Sequence, residues 1–364
     1  MIRVLHVVVA GDIGGAERLL VDLATHGKAT GAAHAVALFT PNPRLRAYFE
    51  RHGLELLDRG PVRENPLAYL WRSLGPRDAA WLAEAMRRWG AQIAHMHTLG
   101  SHVLGVRAAR RAGIRTLRTE HHYVHYEDPS AAVFTRWALR RTESIVAISE
   151  FVRKKLLELA PDAGPRVRVV RNGVDAEAFS LAPTEGLASG LLRVAMACRL
   201  EAWKGVDLAI TALAEVPGAS LTVAGEGSQR APLERLARER GVGDRVRFLG
   251  RSEDVREVFA DAECTINASE QEPLGLSVLE SLAVGRPVVA FAEGGIPEIV
   301  DDGVTGFLAS PRSVAALARA LRRAVDARSR LPALGASGRA FVDAGCTVQR
   351  MCAGYATAYA ELAP

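Results

Sequence analysis

The sequence predicts an α/β protein of two domains, and three observations predict it. Short β-branched runs alternate with helical patterns along the chain, as in parallel sheets flanked by helices. A length of 364 residues fits about two domains, and 49% hydrophobic residues supply two cores. The stretch 176–190, with Pro183, Gly186 and Gly190, reads as a linker between two such series.

In the first series, Val4–Val9 is a strand. It runs into Gly11-Asp12-Ile13-Gly14-Gly15-Ala16-Glu17-Arg18 and a helix with Leu19, Leu20, Leu23 and Ala24 on one face. A glycine pair there lets backbone approach a ligand, but the G-x-G-x-x-G fingerprint of a dinucleotide site is absent. Ala35–Phe39 is the second strand. Between Arg63 and Trp89, the residues Trp81, Leu82, Ala85, Met86 and Trp89 recur at helical spacing. A core-facing helix is the plainer interpretation and a membrane-surface helix the sharper one. Ile93–His97 is a strand in which His95 and His97 share a face. Two such imidazoles have the geometry of a metal pair, but no third ligand lies nearby in sequence, so polar contacts and no metal are expected. Thr116–His122 ends the next strand with Glu120, His121 and His122, and His125 follows. That run stands where α/β folds bind ligands, at a strand's carboxyl end. Ile145–Ser149 leads into a helix capped by Ser149, and Arg166–Val170 is a further strand.

The second series opens with strand Leu191–Ala197, followed by Cys198-Arg199-Leu200-Glu201-Ala202-Trp203-Lys204-Gly205. Lys204 is one of only four lysines beside 42 arginines, which argues against an incidental surface position. Leu221–Ala224 enters a glycine turn, Gly225-Glu226-Gly227. Val246–Arg251 and Cys264–Ser269 are further strands. A polar loop with Glu272, Pro273 and Gly275 then precedes a helical pattern of Leu276, Leu279, Leu282 and Ala283, which Gly285 stops. Val288–Phe291 reads as a buried parallel strand, with a second turn at Gly294-Gly295 and a short helix near Pro297. Gly303–Leu308 is a turn and strand. Helices are expected at 313–327, 333–345 and from about Val348 to Leu362, the last with Met351, Tyr355, Ala358, Tyr359 and Leu362 on one face.

The stretch from Glu270 to Val300 carries the chemistry. The peptide N–H groups of residues 274–277 lack partners within their helix, and the macrodipole favours an anion beside them, so a diphosphate is a suitable guest. Glu280 then faces a sugar hydroxyl, and Glu272 reaches past the phosphates to what they carry. A plainer alternative is a capping box, Ser277-x-x-Glu280.

Glu272-x7-Glu280 with Pro-x-Gly between, then Ala-x-Gly-x-Pro-Val-Val-Ala and Gly-Gly-x-x-Glu, resembles the signature of glycosyltransferase family 4. Leu274 stands for the usual Phe and Ser281 for the usual Ala. The resemblance extends to Gly-Gly-x-Glu in the first loop, His-x-His at His95 and His97, Thr-x-His at His121, Asn-Gly-Val-Asp at 172–175 and Arg-x-x-x-x-Lys-Gly at Arg199 and Lys204. It implies two Rossmann-like domains facing a cleft (the GT-B architecture), at 1–175 and 190–345, with the final helix, about 348–364, crossing back to the first. It also implies a retaining, nucleotide-sugar-dependent hexosyltransferase. His121, Glu272, Arg199 and Lys204 are expected to be catalytic. Gly15, Gly225, Gly227, Arg251, Leu274, Gly275, Leu276 and Glu280 are expected to bind the donor, a UDP- or GDP-sugar, with no obligatory cofactor. His97, Glu120 and His122 are expected on the side of a carbohydrate or lipid-linked glycan acceptor, in cell-envelope glycan assembly or on a soluble metabolite. Paired cations suit a leaving nucleoside diphosphate, whose charge grows as the glycosidic bond breaks.

Composition sets outer limits. Residues 1–170 carry a formal charge of +9 and the rest −4. That asymmetry points to an acidic acceptor or an anionic membrane surface, or to an arginine-rich coding genome. No nucleic-acid partner is expected. No apolar run approaches the roughly 18 residues of a membrane span, and the first strand is too interrupted for a signal peptide. Cys198, Cys264, Cys346 and Cys352 lack metal-ligand spacing, so a reduced, cytoplasmic chain is expected, with any membrane contact peripheral and at the inner face. Two rival functions share the fold: a sugar-nucleotide epimerase or phosphorylase, and a non-catalytic nucleotide-sugar-binding protein. Four lysines leave few candidates for a phosphorylase's pyridoxal lysine.

Overall fold

A computed structural model of the chain describes residues 1–9, 13–26, 31–63, 65–180, 190–252 and 254–363. They divide into two units. One comprises Met1–Asn172 with the closing segment from Val348, the other Gly173–Thr347. Most of the expected linker, 181–189, lies outside the described residues.

The first unit holds a seven-stranded sheet of β1 (Ile2–Val9), β2 (Ala32–Phe39), β3 (Glu55–Asp58), β4 (Ile93–Met96), β5 (Arg115–Glu120), β6 (Ser144–Ala147) and β7 (Val167–Val169). Its order is β3-β2-β1-β4-β5-β6-β7, with every neighbour parallel. The central strands are apolar on both faces because helices cover both. The edge strand β3 escapes sequence detection because its four residues, ELLD, are only partly buried. The helix Pro43–Arg51 is likewise unanticipated, although Asn42 caps it by accepting from the Arg44 N–H at 2.9 Å.

The tryptophan-rich segment breaks in two, Pro66–Leu74 and Pro76–Trp89. Gly75 is the joint: its N–H donates to the Trp71 carbonyl at 2.6 Å, and a Cβ there would lie 2.3 Å from that oxygen. Leu82, Met86 and Trp89 are buried, and Trp81 meets Phe39 edge-on, so this face serves the core.

The last helix, Val348–Leu362, buries Met351, Cys352, Tyr355, Ala358 and Tyr359 against Val4, Leu19, Leu23, Ile93 and Leu117 of the same unit. Two buried tyrosines make this a large apolar contact whose hydroxyls need partners, and both find them at the sheet, as described below.

The second unit holds β8 (Leu192–Ala197), β9 (Ala219–Ala224), β10 (Val246–Gly250), β11 (Cys264–Asn267), β12 (Val288–Phe291) and β13 (Gly306–Ala309). The order is β10-β9-β8-β11-β12-β13, again parallel throughout. Strand order reverses between β1 and β4 in one sheet and between β8 and β11 in the other. Outside the carboxyl ends of such strands lies the crevice where α/β sheets take ligands. Ser281, where the family carries Ala, is fully buried, yet its hydroxyl is satisfied by the Arg286 carbonyl at 2.9 Å and the Thr265 hydroxyl at 2.7 Å. All four cysteines are free thiols. Among the described residues no helix is long and apolar enough to cross a membrane.

Candidate active site

In the second unit, two loops meet beyond β8 and β11. The Glu270 N–H donates to the Trp203 carbonyl at 2.8 Å and ties them together. Lys204, at the end of a single 3₁₀ turn, places its Nζ 2.7 Å from Glu272 Oε2, with the two side chains only 14% and 13% exposed. Arg199 is exposed. Trp203 stands beside both cations: the Lys204 ammonium is 4.0 Å and the Arg199 guanidinium carbon 5.5 Å from its ring centre. An indole face attracts cations and holds them without consuming their hydrogen-bond donors. Sequence reasoning gave Trp203 no role. Its signal was an aromatic residue set between two cations in 199–204.

The helix Leu276–Ala283 begins from Gly275, whose φ of 97° is left-handed, a conformation that favours glycine. A Cβ there would also press to 3.0 Å from Ile296 Cδ1. The capping-box alternative fails, because Ser277 lies inside the first turn and Glu280 in the second, where it is buried. The Val278 and Leu279 amides donate to the Gly275 carbonyl at 3.0 and 3.1 Å. The helix therefore offers the amides of Gly275, Leu276 and Ser277, three of the four expected at 274–277. Leu274 is buried, so its side chain belongs to the core.

Gly225 and Gly227 let the turn after β9 lie on the Arg199 loop. Their Cβ atoms would fall 1.8 Å from the Cys198 carbonyl oxygen and 2.3 Å from that of Leu200. The Leu200 N–H reaches the Glu226 carbonyl at 2.8 Å across this contact. Burial pushes the Cys198 thiol up to about 12. Arg251 is exposed, just past β10.

In the first unit the candidate residues gather at the ends of β1, β4 and β5. Gly15 opens the helix Gly15–Thr25, and Glu17 accepts from the Gly14 N–H at 2.9 Å. Gly11 and Asp12 lie outside the described residues. Glu120 departs from expectation. It is 1% exposed, its carboxylate takes Arg118 Nε at 2.9 Å and Nη2 at 3.0 Å, and Tyr126 donates to it at 2.6 Å. Burial raises its pKa, but Arg118 and His125 outweigh burial and hold it well below the carboxylate range. This ion pair is internal and leaves Glu120 nothing to offer an acceptor. His122 is partly exposed and accepts from the Val124 N–H at 3.2 Å.

His97 is also internal, at 3% exposure. Its Nε2 lies 2.9 Å from His6 Nδ1, and its Nδ1 lies 3.4 Å from His121 Nε2. His6 Nε2 in turn meets His34 Nδ1 at 2.8 Å. His95 bonds Tyr359 OH through Nδ1 at 2.9 Å and the Thr119 hydroxyl through Nε2 at 2.8 Å, and Thr119 reaches Tyr355 OH at 2.9 Å. The third imidazole that the local sequence failed to show beside His95 and His97 is thus His6, from β1. Ring nitrogens of the three come within 4.8 Å of one another. Each of their six nitrogens has a hydrogen-bond partner, so a metal ion would have to displace bonds already made. Burial is the largest influence on all three and keeps them neutral, well below the usual histidine pKa. His121, partly exposed, is lowered to about 3 by burial and the Arg118 charge.

Comparison with known proteins places this geometry. Residues 13–178 match the family model for Glycosyltransferase Family 4, and residues 185–341 that for Glycosyl transferases group 1. The 2-deoxystreptamine glucosyltransferase of Streptomyces kanamyceticus is 30% identical over 283 residues, covering 68% of this chain and 73% of that protein. Glycogen synthase of Mycobacterium tuberculosis is 37% identical over 199 residues, 52% of this chain and 47% of the synthase. D-inositol 3-phosphate glycosyltransferase of Mycolicibacterium smegmatis is 30% identical over 260 residues, 68% of this chain and 56% of that enzyme. The chain thus spans about half the length of the synthase. Among solved structures, Anabaena HepE in complex with UDP-glucose superposes with a TM-score of 0.85 at 22% identity, covering 100% of both chains. The chain belongs to glycosyltransferase family 4, and its two parallel-sheet units are the Rossmann-like domains of the GT-B fold.

Proposed function

We propose that the protein is a retaining hexosyltransferase that moves glucose or a similar hexose from a UDP-sugar to an acceptor hydroxyl. The observation that carries this is the Lys204–Glu272 pair at 2.7 Å, set before a helix that offers three amides. Arg199, Lys204 and those amides hold the diphosphate, Glu280 the ribose and Glu272 the sugar hydroxyls. The bond between the anomeric carbon and the diphosphate oxygen breaks, and its electrons leave with the diphosphate. A bond to the acceptor oxygen forms on the same face, and the acceptor's proton goes to the departing diphosphate. His121 is assigned to a hydroxyl of the donor sugar. UDP is preferred over GDP because HepE, a structural neighbour, was solved with UDP-glucose.

For the acceptor, the +9 charge of residues 1–170 supports an anionic envelope glycan or a lipid-linked one at a membrane face. The names of the 2-deoxystreptamine and inositol phosphate transferases favour a second reading, a small soluble ring alcohol. A thermal-shift panel of UDP, GDP, ADP and UDP-glucose tests the donor. UDP at about a hundred times its dissociation constant should add about 2.7 kcal/mol of stability. No response to any nucleoside diphosphate would overturn the proposal.

A further inference from the structure

The four imidazoles of His34, His6, His97 and His121 climb diagonally across one face of the first sheet. His34 pairs in register with Val4, two residues before His6. His6 pairs with His95, two residues before His97. Met96 pairs with Arg118, so Thr119 is level with His97, and His121 follows two residues later. Each step advances one strand and two residues, which keeps every ring on the same face. The rings of His6 lie nearly parallel to those of both neighbours, at 26° to His34 and 24° to His97.

Every junction in this row joins Nδ1 of one ring to Nε2 of the next, at 2.8, 2.9 and 3.4 Å. A neutral imidazole carries one N–H and one lone pair. If Nδ1 is protonated on one ring, it donates to Nε2 of the next, whose proton must then sit on its own Nδ1. The row therefore has two self-consistent states, all Nδ1–H or all Nε2–H. Any mixed arrangement places two protons or two lone pairs face to face inside the protein, where an unmade hydrogen bond is costly. Among the described residues His121 Nδ1 has no hydrogen-bond partner, so it is the end of the row available to a ligand.

We propose that His34, His6 and His97 are positioning residues that fix the tautomer and ring orientation of His121, so that its Nδ1 is held in one hydrogen-bonding sense. This rests on His121 touching the donor sugar, as proposed above. A ring that must donate to, or accept from, a sugar hydroxyl then needs no tautomer change on binding. The far end of the row is His34, three strands from His121 in the sheet order and only partly buried.

The test is nuclear magnetic resonance of the full chain labelled with ¹⁵N-histidine, which reads the tautomer of each ring without any substrate. One shared tautomer is expected at His34, His6, His97 and His121. His6→Phe should leave His121 a mixture. His34→Phe, at the half-buried end, should do so with less risk to folding, and His34→Gln, which keeps a donor and an acceptor, should restore a single form. Release of UDP from UDP-glucose in water should fall about tenfold in kcat, with KM little changed, in the two Phe variants. Mixed tautomers in the unaltered protein would overturn the proposal. So would an unmoved His121 signal in folded His34→Phe and His6→Phe, or a stoichiometric metal bound to the imidazoles. If the tautomers respond and UDP release does not, the row stands and the contact between His121 and the sugar fails.

Discussion

Lys204 Nζ stands 2.7 Å from Glu272 Oε2, so the cation assigned to the diphosphate and the carboxylate assigned to the sugar neutralise each other before any donor arrives. In the proposed complex a diphosphate competes with Glu272 for the Lys204 ammonium. The two residues should consequently respond in opposite ways. Lys204→Ala should weaken UDP binding by about 10- to 150-fold, the worth of a charged hydrogen bond of about 1.5–3 kcal/mol. Glu272→Gln should bind UDP as well as or better than the unaltered protein, while losing sugar transfer. Calorimetry with UDP checks both. Equal losses of UDP affinity in the two variants would contradict the assignment.

Trp203 should matter through its face. Trp203→Leu keeps bulk but removes the cation–π contact, worth about 0.5–2 kcal/mol. UDP affinity should drop by roughly threefold to thirtyfold, with unfolding little affected because Trp203 is only partly buried. Trp203→Phe should recover part of the loss.

Gly275→Ala forces a side chain into a left-handed backbone and against Ile296. Strain of this kind costs about 1–3 kcal/mol. The expected outcome is that much lost stability in urea unfolding, together with weaker UDP binding because the helix amides shift. Stability loss with unchanged UDP affinity would separate those amides from the diphosphate.

Arg118→Ala should be among the most damaging single changes in the first unit. It strips the buried Glu120 carboxylate of its guanidinium partner, leaving only Tyr126 and His125 beside it, and breaking such a pair costs about 3–5 kcal/mol. Replacing both partners, as in Arg118→Leu with Glu120→Leu, should cost less than Arg118→Ala alone. Denaturant titration of the three variants checks the order.

Acid should destabilise the protein earlier than its carboxylates alone would. His6, His95 and His97 stay neutral when folded, but titrate near 6.5 when unfolded. As pH falls below about 6.5, the unfolded chain binds protons that the folded chain refuses, and stability declines by up to about 1.4 kcal/mol per pH unit for each imidazole. Glu120 acts in the same direction lower down. Its contribution is present above the unfolded value of 4.5 and is lost as pH falls toward its folded value. Melting temperatures that stay flat from pH 7.5 to 5.5 would rule out neutral burial of the three rings.

Most strands and the Gly275 helix were legible because they rest on local patterns: apolar runs, a glycine turn, a helical period. The last helix, Val348–Leu362, was legible over its whole length for the same reason. What sequence concealed was long-range pairing. Glu120 looked like a ligand contact until Arg118, on its own strand face, claimed it. His97 looked like an acceptor-side contact until His6, from a distant strand, filled one side of it. A short, half-exposed edge such as β3 lacks the apolar signal that announces a central strand.

Helix Val348–Leu362 completes the core of the first unit, yet the whole second unit precedes it in the chain. On a ribosome adding about 5–20 residues per second, residues 1–172 emerge first but must wait for 173–347 before Tyr355 and Tyr359 can cover the sheet. The half that is made first is finished last, and during that interval its apolar face is a natural client for a chaperone.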